Sequence, residues 1–276
     1  MTYLSRLTIR RDPDINALRD LIDPNGHRGA RTQDRAMDAH HRLLWSAFSD
    51  SEERRRDFLW RAEGNGRFLV LSARPPEPAS IFQPPETKPF DVSLAPGDRL
   101  RFTLRANAVA QLAKDPNDRS KPSVKHPKGR VRSRKVDVAM KVLHDVPARD
   151  LDAPGAHTPG STDGSSRRAK AREQVARQEA FAWLAKQGAA YGFEPAKGTF
   201  LLEGYRTVTL PSHRGKRRGE PRFGVFDMTG VLTVREPDAF LDKLGRKLDA
   251  GSEGAARSGF GRAKAFGCGL MLIRRA

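Results

Sequence analysis

Cysteine is nearly absent. The single Cys268 in 276 residues leaves no partner for an internal disulfide and no thiolate cluster for zinc, so a cytoplasmic protein is expected. Long apolar runs are missing too: no stretch reaches bilayer-spanning length, nothing at the start reads as a secretory signal, and no long basic amphipathic helix suits a membrane surface. No membrane partner is therefore expected. Metal-ligand patterns are equally scarce. There is no His-Glu-x-x-His, no cysteine pair and no carboxylate cluster of the two-metal nuclease kind, and Asp12-Pro13-Asp14 reads as a turn. Any chemistry is expected to proceed without a metal or other cofactor.

Positive charge is plentiful. Lys and Arg number 51 against 33 Asp and Glu, a formal net charge of +18, which holds nucleic acid close through counterion release and has no use with small neutral substrates. The length allows one large domain or two modest ones with real cores.

The chain is organised around a glycine-rich stretch near its end. Gly259, Gly261, Gly267 and Gly269, with Arg262 and Lys264 among them, suit a loop whose backbone approaches a phosphate, because glycine carries no Cβ to hold it off. Only a short apolar run, Leu270 to Ile273, follows. That excludes the strand, loop and long helix of a nucleotide site and favours a polynucleotide backbone.

Taken in order, Thr2 to Arg10 alternates as a strand, and Asp34 is placed to cap a helix over residues 35–48. Arg56 to Glu63 and Arg67 to Ala73 read as strands joined by the Gly64-Asn65-Gly66 turn. A short helix and a closing strand near Phe90 to Leu94 would complete a βαββαβ unit. Leu100 to Asn107 opens a second unit with period-two alternation. Residues 114 to about 168, rich in proline, glycine, serine and charge, are expected to form a mobile basic insertion. A helix follows over 167–186, then strands over 200–210 and 223–234, a helix over 237–248 and the terminal strand. The pattern is α+β, two tandem ferredoxin-like (RRM-like βαββαβ) domains, at residues 1–95 and 96–276.

Two basic groups are candidate RNA contacts. Arg167, Arg168, Lys170 and Arg172 open the long helix, where a solvated helix face is the plainer explanation. Arg214, Lys216, Arg217 and Arg218 crowd a hairpin tip together with His213 and Gly215, a finger suited to a groove.

Without a metal, RNA is the substrate whose chemistry is accessible: its 2′-OH is an internal nucleophile, and the protein need supply in-line placement, proton transfer and cations. Histidine is the natural proton carrier near neutral pH. Of the 7 histidines, His40 and His41 sit on the first predicted helix, and helical periodicity does not choose between them. A non-catalytic RNA-binding protein with tandem RRM-like domains is the rival reading. The strand signature of base-stacking RRM modules, Lys/Arg-Gly-Phe/Tyr-Gly-Phe, is lacking.

Tyr3-Leu4-Ser5, His41-Arg42-Leu43-Leu44-Trp45 and the run from Gly259 to Leu270 together resemble the CasE family, the CRISPR RNA-processing endoribonucleases of the subtype I-E Cascade complex. Leu100 to Asn107 and Ala182-Trp183-Leu184 fall where that family has similar segments. The resemblance implies tandem ferredoxin-like domains and metal-independent cutting at the 3′ base of the CRISPR repeat hairpin, leaving a 2′,3′-cyclic phosphate. It also implies a monomer that, once the precursor RNA is cut, stays on the mature crRNA beside other Cascade subunits. The family's catalytic histidine maps onto His41, and its assisting tyrosine, three residues earlier, is replaced by Asp38. Arg42 and Lys264 are expected to assist at the phosphate.

Overall fold

The computed structural model describes residues 1–13, 15, 30–48, 56–112, 134–145, 167–210, 222–248 and 257–276. Its first unit comprises β1 (Tyr3–Thr8), α1 (Ala30–Trp45), β2 (Phe58–Gly64), β3 (Arg67–Ser72) and β4 (Glu86–Pro89). The sheet runs β2-β3-β1-β4, antiparallel throughout. The β2–β3 turn forms where expected, with Gly64, Asn65 and Gly66 all at positive φ, which glycine and asparagine tolerate best. Phe58, Trp60, Phe68 and Val70 on one face of the sheet bury against Leu44 of α1 and Phe48 in the turn after it.

The helix expected between β3 and β4 is not there. Residues 73–85 contain Pro75, Pro76, Pro78, Pro84 and Pro85, and each proline lacks the N–H that a helix interior needs. The closing strand accordingly arrives earlier, at Glu86–Pro89 instead of Phe90 to Leu94. The first helix also begins four residues before Asp34, which therefore does not cap it.

The second unit comprises β5 (Arg99–Ala106), β6 (Val109–Leu112), β7 (Arg134–Asp137), α2 (Val138–Asp145), α3 (Arg167–Tyr191), β8 (Phe193–Pro195), β9 (Leu201–Thr209), β10 (Arg222–Val234), α4 (Pro237–Leu244) and β11 (Met271–Arg275). Its sheet runs β11-β5-β10-β8, with β9 also pairing along β10. Strands β11, β5, β10 and β9 thus repeat the order β4, β1, β3, β2 of the first unit. In β5, Leu100, Phe102, Leu104 and Ala106 bury against Ala180 and Leu184 of α3 and Phe240 of α4. Pro237 starts α4 at a position where the missing N–H costs nothing. Within the interval expected to be mobile, β7 pairs with β6, and Val138 and Ala139 of α2 enter the core. Residues 114–133 and 146–166 of that interval lie outside the described residues.

The two units meet along the C-terminal segment. Leu59 and Leu71, on the face of the first sheet turned away from α1, cluster with Leu248 and Leu270. Met37 of α1 clusters with Val208, Val225 and Cys268.

Candidate active site

The glycine-rich stretch closes against the helix that carries the histidines. A 3-10 turn, Lys264–Phe266, packs on α1 and β2. Trp60 Nε1 donates to the Ala265 carbonyl at 3.2 Å, and the Phe266 ring lies 6.1 Å from the His41 ring and stacks on Phe223 at 5.6 Å. The stretch is anchored to the second sheet as well. Arg262 N donates to the Asn107 carbonyl at 3.0 Å, and Gly269 N donates to the Arg105 carbonyl at 2.7 Å.

This packing supplies its own reason for glycine. Gly259, Gly261, Gly267 and Gly269 all have positive φ. A Cβ on Gly267 would stand 3.0 Å from the Trp60 ring, and one on Gly261 would stand 2.5 Å from the Asn107 carbonyl oxygen. Gly259, Gly267 and Gly269 are buried, while Gly261 is half-buried and Arg262 is exposed.

Helical spacing did not separate the paired imidazoles; their surroundings do. His40 turns toward the first sheet, edge-on to Phe68 at 4.9 Å and to Trp60 at 6.3 Å. His41 turns toward the seam between the units. Its Nε2 accepts a hydrogen bond at 3.0 Å from Nε1 of Trp45, one turn further along α1. An accepting Nε2 puts the proton of a neutral ring on Nδ1. Arg42 beside it is exposed. Asp38 stands one turn before His41 on α1, but its side chain is not among those described, nor are those of Arg167, Arg168, Lys170 and Arg172 at the start of α3. Arg214, Lys216, Arg217 and Arg218 lie outside the described residues, between strands that pair Thr209 with Arg222.

Lys264 is buried, and its Nζ donates to the Ser258 carbonyl. Burial, followed by the charges of Lys243 and Arg56, pushes its pKa down to about 7. The side-chain amine thus closes the loop on itself. Cys268 is fully buried, and burial pushes its thiol up to about 12.

A cleft of about 610 Å³ opens beside α1 between the two sheets, lined by His40, Arg61, Arg67, Arg105, Arg206 and Glu63 among others. Arg105 forms a bidentate pair with Asp227 at 2.7 and 3.1 Å; burial opposes its charge, yet this bond holds its pKa above the ordinary value. Arg61 has no such partner at Nη1 among the described residues. Burial, and then the Arg105 charge, pushes its pKa down against the opposing pull of Asp227, Glu203 and Glu63. Sequence reasoning passed over Arg61, Arg105 and Arg206, because what distinguishes them is which strands meet. Trp45 was readable, four residues after His41.

A family model described as CRISPR associated protein matches residues 2–275. The chain belongs to that family. The CasE resemblance read from the sequence holds. A curated relative, the CRISPR-associated endoribonuclease Cse3 of Thermus thermophilus, is 42% identical over 86 residues, 26% of this chain and 39% of the relative's length. Among solved structures, a CRISPR endoribonuclease Cse3 bound to 19 nt RNA superposes with a TM-score of 0.56 at 23% identity, covering 99% of this chain and 98% of that one. A Thermus thermophilus Cse3 bound to an RNA representing a pre-cleavage complex gives 0.55 at 21% identity, with coverage of 99% and 98%. At such identities the likeness is one of fold, and it agrees with two ferredoxin-like units in tandem.

Proposed function

We propose that this family member is an endoribonuclease that cuts CRISPR precursor RNA at the 3′ base of the repeat hairpin. The 2′-OH attacks the adjacent phosphorus, the 5′-oxygen leaves, and the upstream product ends in a 2′,3′-cyclic phosphate. The enzyme then remains on the mature crRNA as a Cascade subunit. Family membership and the endoribonuclease name of the Thermus thermophilus relative support the substrate and reaction class. The observation that carries the site is the seating of Phe266 6.1 Å from His41, which joins the C-terminal stretch to the histidine helix.

In this reading His41 moves the proton, most directly onto the departing 5′-oxygen. Trp45 aims the neutral ring; acting as the acid requires the imidazolium, with protons on both nitrogens, so Trp45 releases Nε2 when that nitrogen is protonated. Arg42 and Arg262, both exposed, flank the phosphate. Lys264, turned inward to Ser258, acts by holding the loop in place. The basic residues opening α3 and those between β9 and β10 embrace the hairpin through phosphate and groove contacts, as A-form RNA favours. The test is cleavage of the cognate repeat RNA in EDTA, alongside the same RNA carrying one deoxyribose at the scission position. Full activity on the first and none on the second is expected. A magnesium requirement, or cutting of the deoxy substrate, overturns the mechanism.

A further inference from the structure

The cleft beside α1 has a composition that folding alone does not call for. It is lined by four arginines, Arg61, Arg67, Arg105 and Arg206, against one carboxylate, Glu63. They come from β2, β3, β5 and β9, so both units contribute. Of the nearby acids, Asp227 is paired with Arg105 of the cleft itself, Glu203 accepts from the Thr229 hydroxyl at 3.2 Å, and Glu63 pairs with Arg6 at 3.6 Å. Arg61 Nη1 is buried with no hydrogen-bond partner among the described residues. A desolvated cation with an unused donor destabilises a fold unless something outside the chain satisfies it. A phosphate oxygen matches a guanidinium donor in charge and geometry.

We propose that this cleft is a phosphate-binding subsite for a single-stranded stretch of RNA. The proposal rests on the function proposed above for its choice of RNA over other anions. His40 lines the cleft while His41, the next residue, faces the seam, so a strand lying among the arginines continues toward the proposed cutting site. The volume lies within the range of small-ligand clefts, which suits a strand entering by its backbone.

The full-length protein is compared with Arg61→Gln and Arg67→Gln in two assays. Fluorescence anisotropy reads binding of a labelled oligoadenylate of about ten nucleotides and, separately, of the repeat hairpin trimmed to stem and loop. Arg61→Gln is expected to weaken the oligoadenylate about fivefold and lower its salt slope by about one, Arg67→Gln to weaken it less, and both to leave the trimmed hairpin unchanged. Thermal unfolding is then followed with and without inorganic phosphate. Arg61→Gln without ligand is expected to melt no lower than the native protein. Oligoadenylate affinity that is the same in all three proteins overturns the subsite, as does a lower melting temperature for Arg61→Gln, which would make Arg61 structural. Stabilisation by inorganic phosphate that needs Arg61, with no effect of Arg61 on oligoadenylate, would make the cleft a free-anion site and overturn its assignment to RNA. Stronger competition from a glutamate-rich peptide than from oligoadenylate would overturn it too. Failure of the native protein to bind the trimmed hairpin or to cut the repeat would count against the proposed function, whereas the oligoadenylate result decides the cleft.

Discussion

Replacing Lys264 by methionine changes how stability follows pH. Lys264 is 9% exposed, and burial, then Lys243 and Arg56, bring its pKa from 10.5 to about 7. A base whose pKa is lower folded than unfolded binds fewer protons folded between those values, so stability rises with pH across that window. The burial penalty is present in full below about pH 7 and is relieved as pH climbs toward the unfolded value. Between about pH 7 and about pH 9, linkage over a shift of that size gives about 2 kcal/mol. Methionine matches the stem in bulk and carries no proton, though it forfeits the bond to the Ser258 carbonyl and is expected to be less stable than the native protein once lysine is neutral. Urea unfolding of both proteins at about pH 7, 8 and 9 reads the difference directly. The native protein is expected to gain about 2 kcal/mol on the variant over that range. Parallel pH profiles would refute a depressed lysine pKa and, with it, the tightly closed loop.

Three further outcomes follow from the same packing. Gly267→Ala sets a Cβ 3.0 Å from the Trp60 ring at a φ of +73°, and is expected to lose about 2 kcal/mol in urea unfolding; a change under about 0.5 kcal/mol would mean the loop yields easily. Trp45→Phe keeps an aromatic ring against Phe58 but removes the donor to His41 Nε2, so single-turnover cleavage falls up to about tenfold with RNA affinity unchanged; an unchanged rate would show that the bond does not position the imidazole. Cys268, buried with its thiol pushed up to about 12, is expected to resist alkylation in the native protein and react on unfolding, and rapid native-state labelling would contradict its burial.

Much of the architecture was legible because strands announce themselves by alternation. Leu100, Phe102, Leu104 and Ala106 bury every second side chain of β5, and the Gly64-Asn65-Gly66 turn falls where its conformational preferences put it. The absence of a helix between β3 and β4 is legible too, since Pro75, Pro76, Pro78, Pro84 and Pro85 forbid it, although the symmetry of a βαββαβ repeat argues for one. Strands β6 and β7 and helix α2 were hidden because they are short and place few side chains in the core, Val138 and Ala139 from α2 with Ala110 of β6 against it, which is too little to make a periodic signal. At the site, the glycines pointed to a close approach, and tertiary contacts identify Trp60, Leu59 and the Asn107 backbone among what is approached. No local pattern distinguishes Arg61 from a solvated strand arginine; only the meeting of two sheets does.

The central claim is that His41 moves the proton at the scissile phosphate, and single-turnover cleavage by His41→Ala beside His40→Ala, with RNA affinity measured for each, tests it most directly. Loss of a general acid–base group predicts a rate for His41→Ala lower by about a hundredfold to ten-thousandfold at nearly native affinity. His40→Ala, which touches Phe68 and Trp60, is expected to cut at a rate near that of the native enzyme. An active His41→Ala enzyme beside an inactive, RNA-binding His40→Ala enzyme would contradict the account and move the chemistry into the arginine-lined cleft.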